Sequence, residues 1–186
     1  MSRTEIRITG FGGQGVVLSG HIIGNACSIQ SDKHATMIQS FGPEARGSAC
    51  SATLTVDDDE ILYPYVSDLD IFVVMSGEGY KKHKAELKDG GVLIYERDLV
   101  EPTFERGQQA FGITSTRIAE EVLGRKIVQN IVMLGFFAAV TELVPRAAVR
   151  RAVEHSVPGG TEELNLRAFD AGCAYYDREY GGKQKR

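Results

Sequence analysis

A short strand pattern that runs into a glycine-dense turn constrains this chain most. Residues 6–9 alternate apolar and polar side chains, and a helix-compatible run begins at Val16. Between them, Gly10, Gly12 and Gly15 fit the spacing G-x-G-x-x-G, which lets the backbone turn sharply and approach a ligand or another chain closely. The N–H groups and positive dipole end at such a helix start attract phosphate or carboxylate. The motif therefore predicts an α/β domain with a binding surface at its first loop.

The remaining patterns predict a three-layer, Rossmann-like α/β fold, with a mixed, mostly parallel sheet and helices on both faces. Strands are expected at residues 5–9, 34–39, 49–56, 69–75, 92–95 and 110–113. Helices are expected at residues 16–28, 80–87, 115–123, 128–143 and 145–156, and again after Thr161. A length of 186 residues is typical of one domain, which we place at residues 1–180 with a flexible tail at 181–186.

A β-hairpin is predicted around residues 49–63. One face of its first strand is apolar and consists of Cys50, Ala52, Leu54 and Val56. The other face consists of Ser51, Thr53 and Thr55. This alternation favours an antiparallel or edge strand with one side in water. An acidic turn follows, and Ile61–Tyr63 is predicted to return as the second strand.

Composition and charge exclude several classes of function. The net charge is −4, from 21 basic and 25 acidic side chains, without a basic stripe, so nucleic-acid binding is not expected. The chain contains neither an apolar run of membrane-spanning length nor an apolar signal core at its start, which predicts a cytoplasmic protein without membrane insertion. Cys27, Cys50 and Cys173 form no C-x-x-C pair. No metal site is therefore expected on this chain, and the thiols are predicted to be free and either buried or semi-buried.

The glycine loop does not have the other features of a dinucleotide site. Such a site requires Asp or Glu at the end of the second strand, whereas this strand ends in residues 39–41 (Gln-Ser-Phe), and Asp32 comes before it. Gln14 is long and polar for a pyrophosphate loop, and no Gly-Lys-Ser/Thr sequence follows. We therefore expect neither a nicotinamide or flavin dinucleotide nor a P-loop phosphate here.

A second glycine-containing segment, residues 39–47, is predicted to emerge at the same carboxyl edge of the sheet. Arg46 could hold a carboxylate or phosphate in a two-pronged contact, or it could form a buried ion pair with Glu44 or another acidic residue, and the sequence leaves both interpretations open. The predicted binding residues of the two loops are Gly12, Gly13, Gln14, Gly15, Gly42, Arg46 and Gly47.

Catalytic residues are not evident from the sequence. The four histidines are scattered, and no serine or cysteine lies in a nucleophile elbow. A binding edge without an acid–base pair indicates a component whose chemistry takes place on another chain.

Two segments resemble a known family. Residues 10–16 (GFGGQGV) resemble the opening signature of the gamma subunit of 2-oxoacid:ferredoxin oxidoreductases, and residues 40–47 (SFGPEARG) are similar to its second signature. Tyr63-Pro64 and the helix from Asn130 to Gly135 also fall where the family has them. The chain departs from the family pattern at Phe41, which replaces the usual Tyr, and at Ser48, which replaces the usual second Gly.

The resemblance implies an oxidative decarboxylation that an assembly performs. Thiamine diphosphate attacks the 2-oxo carbon, carbon dioxide leaves, iron–sulfur clusters carry electrons to ferredoxin or flavodoxin, and coenzyme A takes the acyl group. Thiamine diphosphate, magnesium and the clusters are expected on the alpha, beta and delta subunits. This gamma chain is expected to be inactive alone and to help form the approach for coenzyme A.

Several alternatives remain open. Among the substrates, 2-oxoglutarate is the first choice, and pyruvate, branched-chain oxoacids and indolepyruvate are the others. The glycine loops could bind coenzyme A or only partner chains. A second hypothesis is a stand-alone nucleotide- or coenzyme A-binding module without redox chemistry, and an NAD-linked dehydrogenase is disfavoured by the missing ribose acid. Without its partners the chain is expected to expose apolar patches and to form a homodimer.

Overall fold

The computed structural model describes residues 3–41, 49–103 and 107–181. The strands are β1 (Thr4–Phe11), β2 (His34–Phe41), β3 (Ala49–Asp57), β4 (Leu69–Val74), β5 (Leu87–Glu96) and β6 (Gln109–Ile113). The helices are α1 (Val16–Ser31), α2 (Gly77–His83), α3 (Ser115–Arg117), α4 (Gln129–Thr141), α5 (Arg146–Ser156) and α6 (Glu162–Glu179). Short turns of other helix types follow α2 (Lys84–Glu86) and α3 (Ile118–Val122) and precede α4 (Lys126–Val128).

The six described strands form one sheet in the order β2-β3-β1-β4-β5-β6. β1 pairs in parallel with β4, β4 with β5, and β5 with β6, whereas β3 runs antiparallel to both β1 and β2. Parallel neighbours cannot be joined by a tight turn and need a crossover connection. The predicted mixed, mostly parallel α/β sheet is confirmed.

Helices cover both faces of the sheet, as predicted, but unequally. α1, α4, α5 and α6 share one large core with the face that carries Ile8, and Ile131 of α4 lies in the same core. The other face carries α2 and a smaller core around Phe72. α2 packs directly on β1, because a Cβ on Gly79 would come within 2.5 Å of Thr9 Oγ1. β4 lies between the two cores, which explains its apolar sequence.

α4 lies at the centre of the helical layer. Every residue from Gln129 to Val140 is buried, as its apolar circumference predicts. α4 and α6 approach so closely that a Cβ on Gly135 would overlap the carbonyl oxygen of Phe169, and a Cβ on Gly172 would overlap that of Val132. Glycine at these two positions therefore sets the distance between the helices.

The hairpin predicted around residues 49–63 is wrong in its second strand. β3 pairs with β2 on one side and with β1 on the other, and residues 58–68 contain no strand. The register of β1 and β3 runs without a break from Thr4 opposite Val56 to Phe11 opposite Ala49. β3 therefore has no free edge that Ile61–Tyr63 could join.

The side of β3 expected to face water is buried. Its three hydroxyl side chains are Ser51, Thr53 and Thr55, which are 7%, 9% and 0% exposed. The irregular connection at residues 58–68 reaches this side, because the Thr55 hydroxyl donates to the carbonyl oxygen of Pro64 over 3.3 Å. The Glu5 carboxylate on β1 accepts two backbone N–H groups of the same connection, over 2.9 and 3.1 Å. A segment without secondary structure thus takes the place of solvent.

The two edges of the sheet differ. At the β6 edge, the Tyr180 hydroxyl accepts the N–H of Gly112 over 3.1 Å and donates to the carbonyl oxygen of the same residue over 3.0 Å. The Arg97 guanidinium also donates to this hydroxyl, over 2.9 Å. At the other edge, β2 is partly exposed along its length.

Candidate functional site

The first glycine loop connects β1 to α1 at the carboxyl edge of the sheet. Gly13 has a φ of 95° and Gly15 a φ of 72°, both in the left-handed region that glycine adopts without strain. The backbone N–H of Gln14 donates to the carbonyl oxygen of Phe11 over 3.1 Å and closes the turn. Gly15 is the residue before the first turn of α1. The strand–turn–helix context predicted for the motif is therefore present.

The Gln14 side chain holds this loop from inside the protein. Its Oε1 atom accepts the backbone N–H of Phe11 over 2.6 Å, and its Nε2 atom donates to the carbonyl oxygen of Met75 over 3.0 Å. Met75 directly follows β4, so the amide ties the ends of two neighbouring parallel strands together. Both ends of the carboxamide bond to the protein backbone, and the contribution of Gln14 to a site is therefore to position the loop.

Gly12 and Gly13 form the exposed part of the loop. A Cβ on Gly13 would find no heavy atom within 4 Å, so space is open there. The first turn of α1 contains no acidic residue, and the first N–H groups of a helix have no partner within the helix. These features suit an anionic group that approaches the loop.

The second predicted loop begins and ends beside the first. Its residues Gly42, Arg46 and Gly47 lie outside the described residues. Phe41 at the end of β2 pairs with Cys50, and Cys50 pairs with Gly10. Ala49, where β3 begins, pairs with Phe11. Both anchors of the segment therefore lie at the carboxyl edge of β1, next to the first loop.

Asn130 is a polar neighbour of the loop that the motifs did not single out as a site residue. It lies in the first turn of α4, and a Cβ on Gly15 would come within 2.5 Å of its Nδ2 atom. Asn130 is only 4% exposed. The sequence placed Asn130 at the start of the helix that resembles the family's, but nothing in it linked this residue to Gly15, which lies 115 positions earlier.

The three cysteines are free thiols. Burial raises the pKa of the Cys27 thiol to about 12 and that of Cys173 to about 11, and it raises the pKa of Cys50 as well. Such thiols are poor nucleophiles and metal ligands, because both roles need the thiolate. In the described ranges, no three His, Cys, Asp or Glu side chains form a group that could hold a metal ion.

The histidines of the described residues do not form a catalytic pair. His83 Nδ1 bonds to Glu86 Oε1 over 2.6 Å, and Glu86 also pairs with Arg7 over 2.7 Å. His21, His34 and His155 are exposed, and within the described part of the chain no histidine bonds to a serine or cysteine side chain. Across the same residues, no helix combines the length and apolarity that a bilayer crossing requires.

Comparison with known proteins gives consistent matches over almost the whole chain. The family described as pyruvate ferredoxin/flavodoxin oxidoreductase matches residues 5–175. The 2-oxoglutarate synthase subunit KorC of Methanocaldococcus jannaschii is 43% identical over 172 residues, which cover 91% of this chain and 92% of that protein.

Two solved structures extend the comparison. The keto/oxoacid ferredoxin oxidoreductase gamma subunit of Geobacter sulfurreducens superposes with a TM-score of 0.80 at 38% identity, over 91% of this chain and 95% of that one. The 2-oxoglutarate:ferredoxin oxidoreductase of Magnetococcus marinus, solved with 2-oxoglutarate, coenzyme A and succinyl-CoA bound, has a TM-score of 0.86 at 22% identity. The match covers 96% of this chain but 32% of the Magnetococcus chain, so the same fold there is one part of a longer polypeptide.

Proposed function

The chain belongs to the pyruvate ferredoxin/flavodoxin oxidoreductase family, and from this premise we propose that it is the gamma subunit of a thiamine-diphosphate-dependent complex that oxidises 2-oxoglutarate. In this reaction carbon dioxide leaves the oxoacid, two electrons pass to ferredoxin or flavodoxin, and the succinyl group is joined to coenzyme A. The observation that carries the proposal is the 43% identity to KorC along nearly the full length of both chains.

The side chains of this protein indicate which steps of the reaction belong to its partner subunits. Thiamine diphosphate, magnesium and the iron–sulfur clusters are assigned to the alpha, beta and delta subunits. When bound there, they supply the carbanion chemistry and the electron transfer. The present chain contributes binding and orientation, because burial or partial burial raises the pKa of its thiols and the Gln14 amide holds a loop instead of a proton-transfer pair.

We assign the approach of coenzyme A to the carboxyl edge that carries the first loop and the two ends of the second, Phe41 and Ala49. The exposed backbone of Gly12 and Gly13 and the start of α1 fit an anionic group, and Gln14 and Gly15 hold this backbone in place. In the second loop, Gly42, Arg46 and Gly47 are assigned to the same ligand, with the Arg46 guanidinium on a phosphate or carboxylate. Contact between these loops and partner chains is the alternative role for the same residues.

A stand-alone nucleotide- or coenzyme A-binding module was the second hypothesis. The full-length match to named enzyme subunits supports the subunit role instead. Formation of a homodimer by the isolated chain remains compatible with that role, since subunit interfaces are apolar and are uncovered when the partners are absent.

Reconstitution of the complex tests the proposal. The chain is co-expressed with its alpha, beta and delta partners, and the reduction of ferredoxin is measured with 2-oxoglutarate and coenzyme A. We expect turnover by the complex, none by the chain alone, and a higher kcat/KM for 2-oxoglutarate than for pyruvate, branched-chain oxoacids or indolepyruvate. Turnover of an oxoacid with NAD by the chain alone would overturn the proposal.

The Arg46→Ala variant tests the assigned anion contact. We expect the KM for coenzyme A to rise about tenfold or more, because a charge-assisted hydrogen bond contributes about 1.5–3 kcal/mol, while the KM for 2-oxoglutarate stays unchanged. The matched control is Arg167→Ala, which removes a charge on α6. Unchanged kinetics together with unchanged assembly would remove Arg46 from the site.

A further inference from the structure

An open cavity of about 340 Å³ lies at the carboxyl edge of the sheet, between the turn that follows β5 and the start of α2. Its volume is within the roughly 300–1,000 Å³ of sites that bury small ligands. In open α/β sheets, ligands bind in crevices outside the carboxyl ends of the strands. None of the described residues that line the cavity belongs to either glycine loop, so it is a candidate site of its own.

The lining of this cavity combines charged and apolar side chains. Four charged residues of the described ranges line it, two cations and two carboxylates: Lys81, Arg97, Asp98 and Glu101. Tyr80 and Val100 are buried residues of the same wall, and Leu99 is half-exposed. The lining therefore suits a molecule that has an anionic group, hydrogen-bond donors and an apolar ring or chain.

The Arg97 guanidinium is held in place by the protein but has no acidic partner in the described ranges. Its Nη2 atom donates to the Tyr180 hydroxyl over 2.9 Å, and the backbone N–H of Arg97 donates to the carbonyl oxygen of Ile113 over 2.8 Å. A guanidinium carries five N–H donors. Most of the donors of Arg97 therefore remain available to an anion that enters the cavity.

The turn that follows β5 is fixed by Glu96, the last residue of the strand. The carbonyl oxygen of Glu96 accepts the backbone N–H groups of Leu99 and Val100 over 3.2 and 3.0 Å. Glu96 is 1% exposed, and its carboxylate accepts the backbone N–H groups of Thr116 and Asp98 over 3.0 and 3.3 Å. A binding group that a second set of contacts holds in position loses little entropy when a ligand binds.

The other charged residues determine what the cavity offers to a ligand. The Asp98 carboxylate is already paired, because the Arg117 guanidinium donates to it over 2.9 Å. Lys81 and Glu101 are exposed, and neither forms an ion pair within the described residues. The cavity therefore presents two cations, Arg97 and Lys81, to an anionic group, and it presents Glu101 to a hydrogen-bond donor.

We infer that this cavity binds a phosphorylated ribonucleoside, with its phosphate on Arg97 and Lys81 and a ribose hydroxyl on Glu101. A guanidinium contacts phosphate oxygens in pairs, and an ammonium adds a point charge. A carboxylate beyond the end of a strand accepts ribose hydroxyls in nucleotide-binding sheets. The wall of Tyr80 and Val100 is apolar and suits the base, whereas inorganic phosphate alone would leave most of the volume unused. The inference goes beyond the proposed function, because a free nucleotide and the nucleotide half of coenzyme A share this chemistry.

A nuclear magnetic resonance titration of the full chain with adenosine 5′-diphosphate (ADP) tests the inference. We expect the backbone amides of residues 77–81 and 97–101 to shift until the site is saturated. Adenosine, which has no phosphate, is expected to bind about tenfold more weakly or less, because the charge-assisted hydrogen bonds are lost. Inorganic pyrophosphate is expected to bind about tenfold more weakly as well, because no apolar ring is buried.

Matched arginine variants assign the binding to the cavity. Arg97→Gln is expected to raise the dissociation constant for ADP about tenfold or more, whereas Arg167→Gln, at an exposed arginine on α6, is expected to change it less than about twofold. Because Arg97 also bonds to Tyr180, thermal unfolding of the variant is measured in parallel. Lys81→Gln loses no ion pair within the described residues and is expected to weaken ADP binding about threefold. Glu101→Ala is expected to abolish the preference for ADP over its 2′,3′-dideoxy analogue.

The outcomes separate the inference from simpler explanations. Shifts that avoid residues 77–81 and 97–101, or equal effects of Arg97→Gln and Arg167→Gln, would overturn it. Equal affinities for ADP and pyrophosphate would also overturn it, since an anion alone would then account for binding. Coenzyme A that shifts residues 12–15 together with the cavity amides identifies its nucleotide half as the ligand. Binding of ADP without any effect of coenzyme A on the cavity amides identifies a free nucleotide.

The proposed function and this inference fail separately, because the titration uses the free chain and the activity assay uses the assembled complex. A complex that oxidises 2-oxoglutarate while the free chain binds no ADP contradicts the nucleotide site and supports the function. Saturable binding of ADP to a chain whose complex does not oxidise 2-oxoglutarate contradicts the function and supports the nucleotide site.

Discussion

The residues of the first loop, Gly12 to Gly15, differ in their role: some are accessible from outside, and others face the protein interior. Gly12 and Gly13 are exposed, whereas the Gln14 amide is bonded inside the protein to the carbonyl oxygen of Met75, and Asn130 occupies the space that a side chain at Gly15 would need. The loop is therefore rigid where it contacts the protein and accessible where a ligand would approach. Such preorganisation reduces the entropy that a ligand must remove on binding.

Gly13 and Gly15 both have a positive φ. Replacing each by alanine distinguishes the energetic cost of backbone strain from the cost of a steric clash. Gly13→Ala introduces only an unfavourable φ, because no heavy atom lies within 4 Å of the new Cβ, and we expect a loss of about 1–2 kcal/mol. Gly15→Ala adds a contact of 2.5 Å with Asn130 Nδ2, and we expect a loss of about 2–4 kcal/mol. Urea unfolding measures both. Equal losses would show that Asn130 moves aside freely.

The sequence could predict the glycines but not their partners. The spacing from Gly10 to Gly15 specifies a turn between a strand and a helix, and that turn is present. The same spacing does not predict that Met75 and Asn130 lie beside the loop, because only the tertiary fold brings these two residues close to it. For this reason Gln14 looked like a ligand-facing residue in the sequence, although its amide bonds to backbone on both sides.

Among the helices, the α4–α6 contact depends on glycine at the crossing. The Cβ of Gly172→Ala would overlap the carbonyl oxygen of Val132, and backbone cannot rotate away as a side chain can. We expect a loss of about 3 kcal/mol or more, despite the better helix propensity of alanine. The control is Gly159→Ala, whose nearest heavy atom would lie 4.0 Å away, with a change within about 0.5 kcal/mol. Thermal unfolding measures both, and similar midpoints would contradict the close crossing.

Among the strands, the β6 edge depends on one hydroxyl. Tyr180→Phe keeps the ring beside Phe111 and Tyr176 but removes both bonds to Gly112. We expect a loss of about 1–2 kcal/mol and faster amide exchange at Gly112. Tyr63→Phe serves as the control, because Tyr63 is 63% exposed and water replaces its hydroxyl bonds. Exchange at Gly112 that stays slow in Tyr180→Phe would show that another group protects this edge.

Periodicity predicted well where the six strands lie along the chain, but it failed to predict burial where an irregular segment covers a strand. Ser51, Thr53 and Thr55 alternate with apolar residues in the manner of a strand with one wet face. The connection at residues 58–68 covers that face through the Pro64 carbonyl oxygen, which accepts the Thr55 hydroxyl, and through the Ser67 N–H, which donates to the Glu5 carboxylate. Such bonds leave no hydrophobic pattern in the covering segment. An alternating strand therefore indicates two chemically different faces, and only the fold decides which of them meets solvent.

At the scale of the whole molecule, the asymmetric layers place the thiols in one apolar environment. Cys27 and Cys50 belong to the large core, and Cys173 packs against it. Since low polarity disfavours the thiolate, burial raises the pKa of all three cysteines, and it raises the pKa of Tyr175 and Tyr176 in the same helical layer. The folded protein consequently holds these protons at pH values at which the unfolded chain releases them.

This difference predicts a loss of stability in alkaline solution. The Cys27 thiol has a pKa of about 12 in the folded chain against an ordinary value of 9.0, so its contribution is constant below about pH 9. Above that pH the unfolded chain binds fewer protons than the folded one. The free energy of unfolding therefore falls as the pH rises towards 12, by up to about 1.4 kcal/mol per pH unit for each such group.

The Cys27→Ala variant isolates the contribution of one thiol to this slope. Its stability at neutral pH is lower, because alanine leaves a small cavity in the core, but the slope of its unfolding free energy between about pH 9 and about pH 10.5 should be shallower by roughly 1 kcal/mol per pH unit. Urea unfolding at a series of pH values gives the slope directly. If wild type and variant lose stability in parallel, the Cys27 thiol ionises as readily in the folded core as in the unfolded chain.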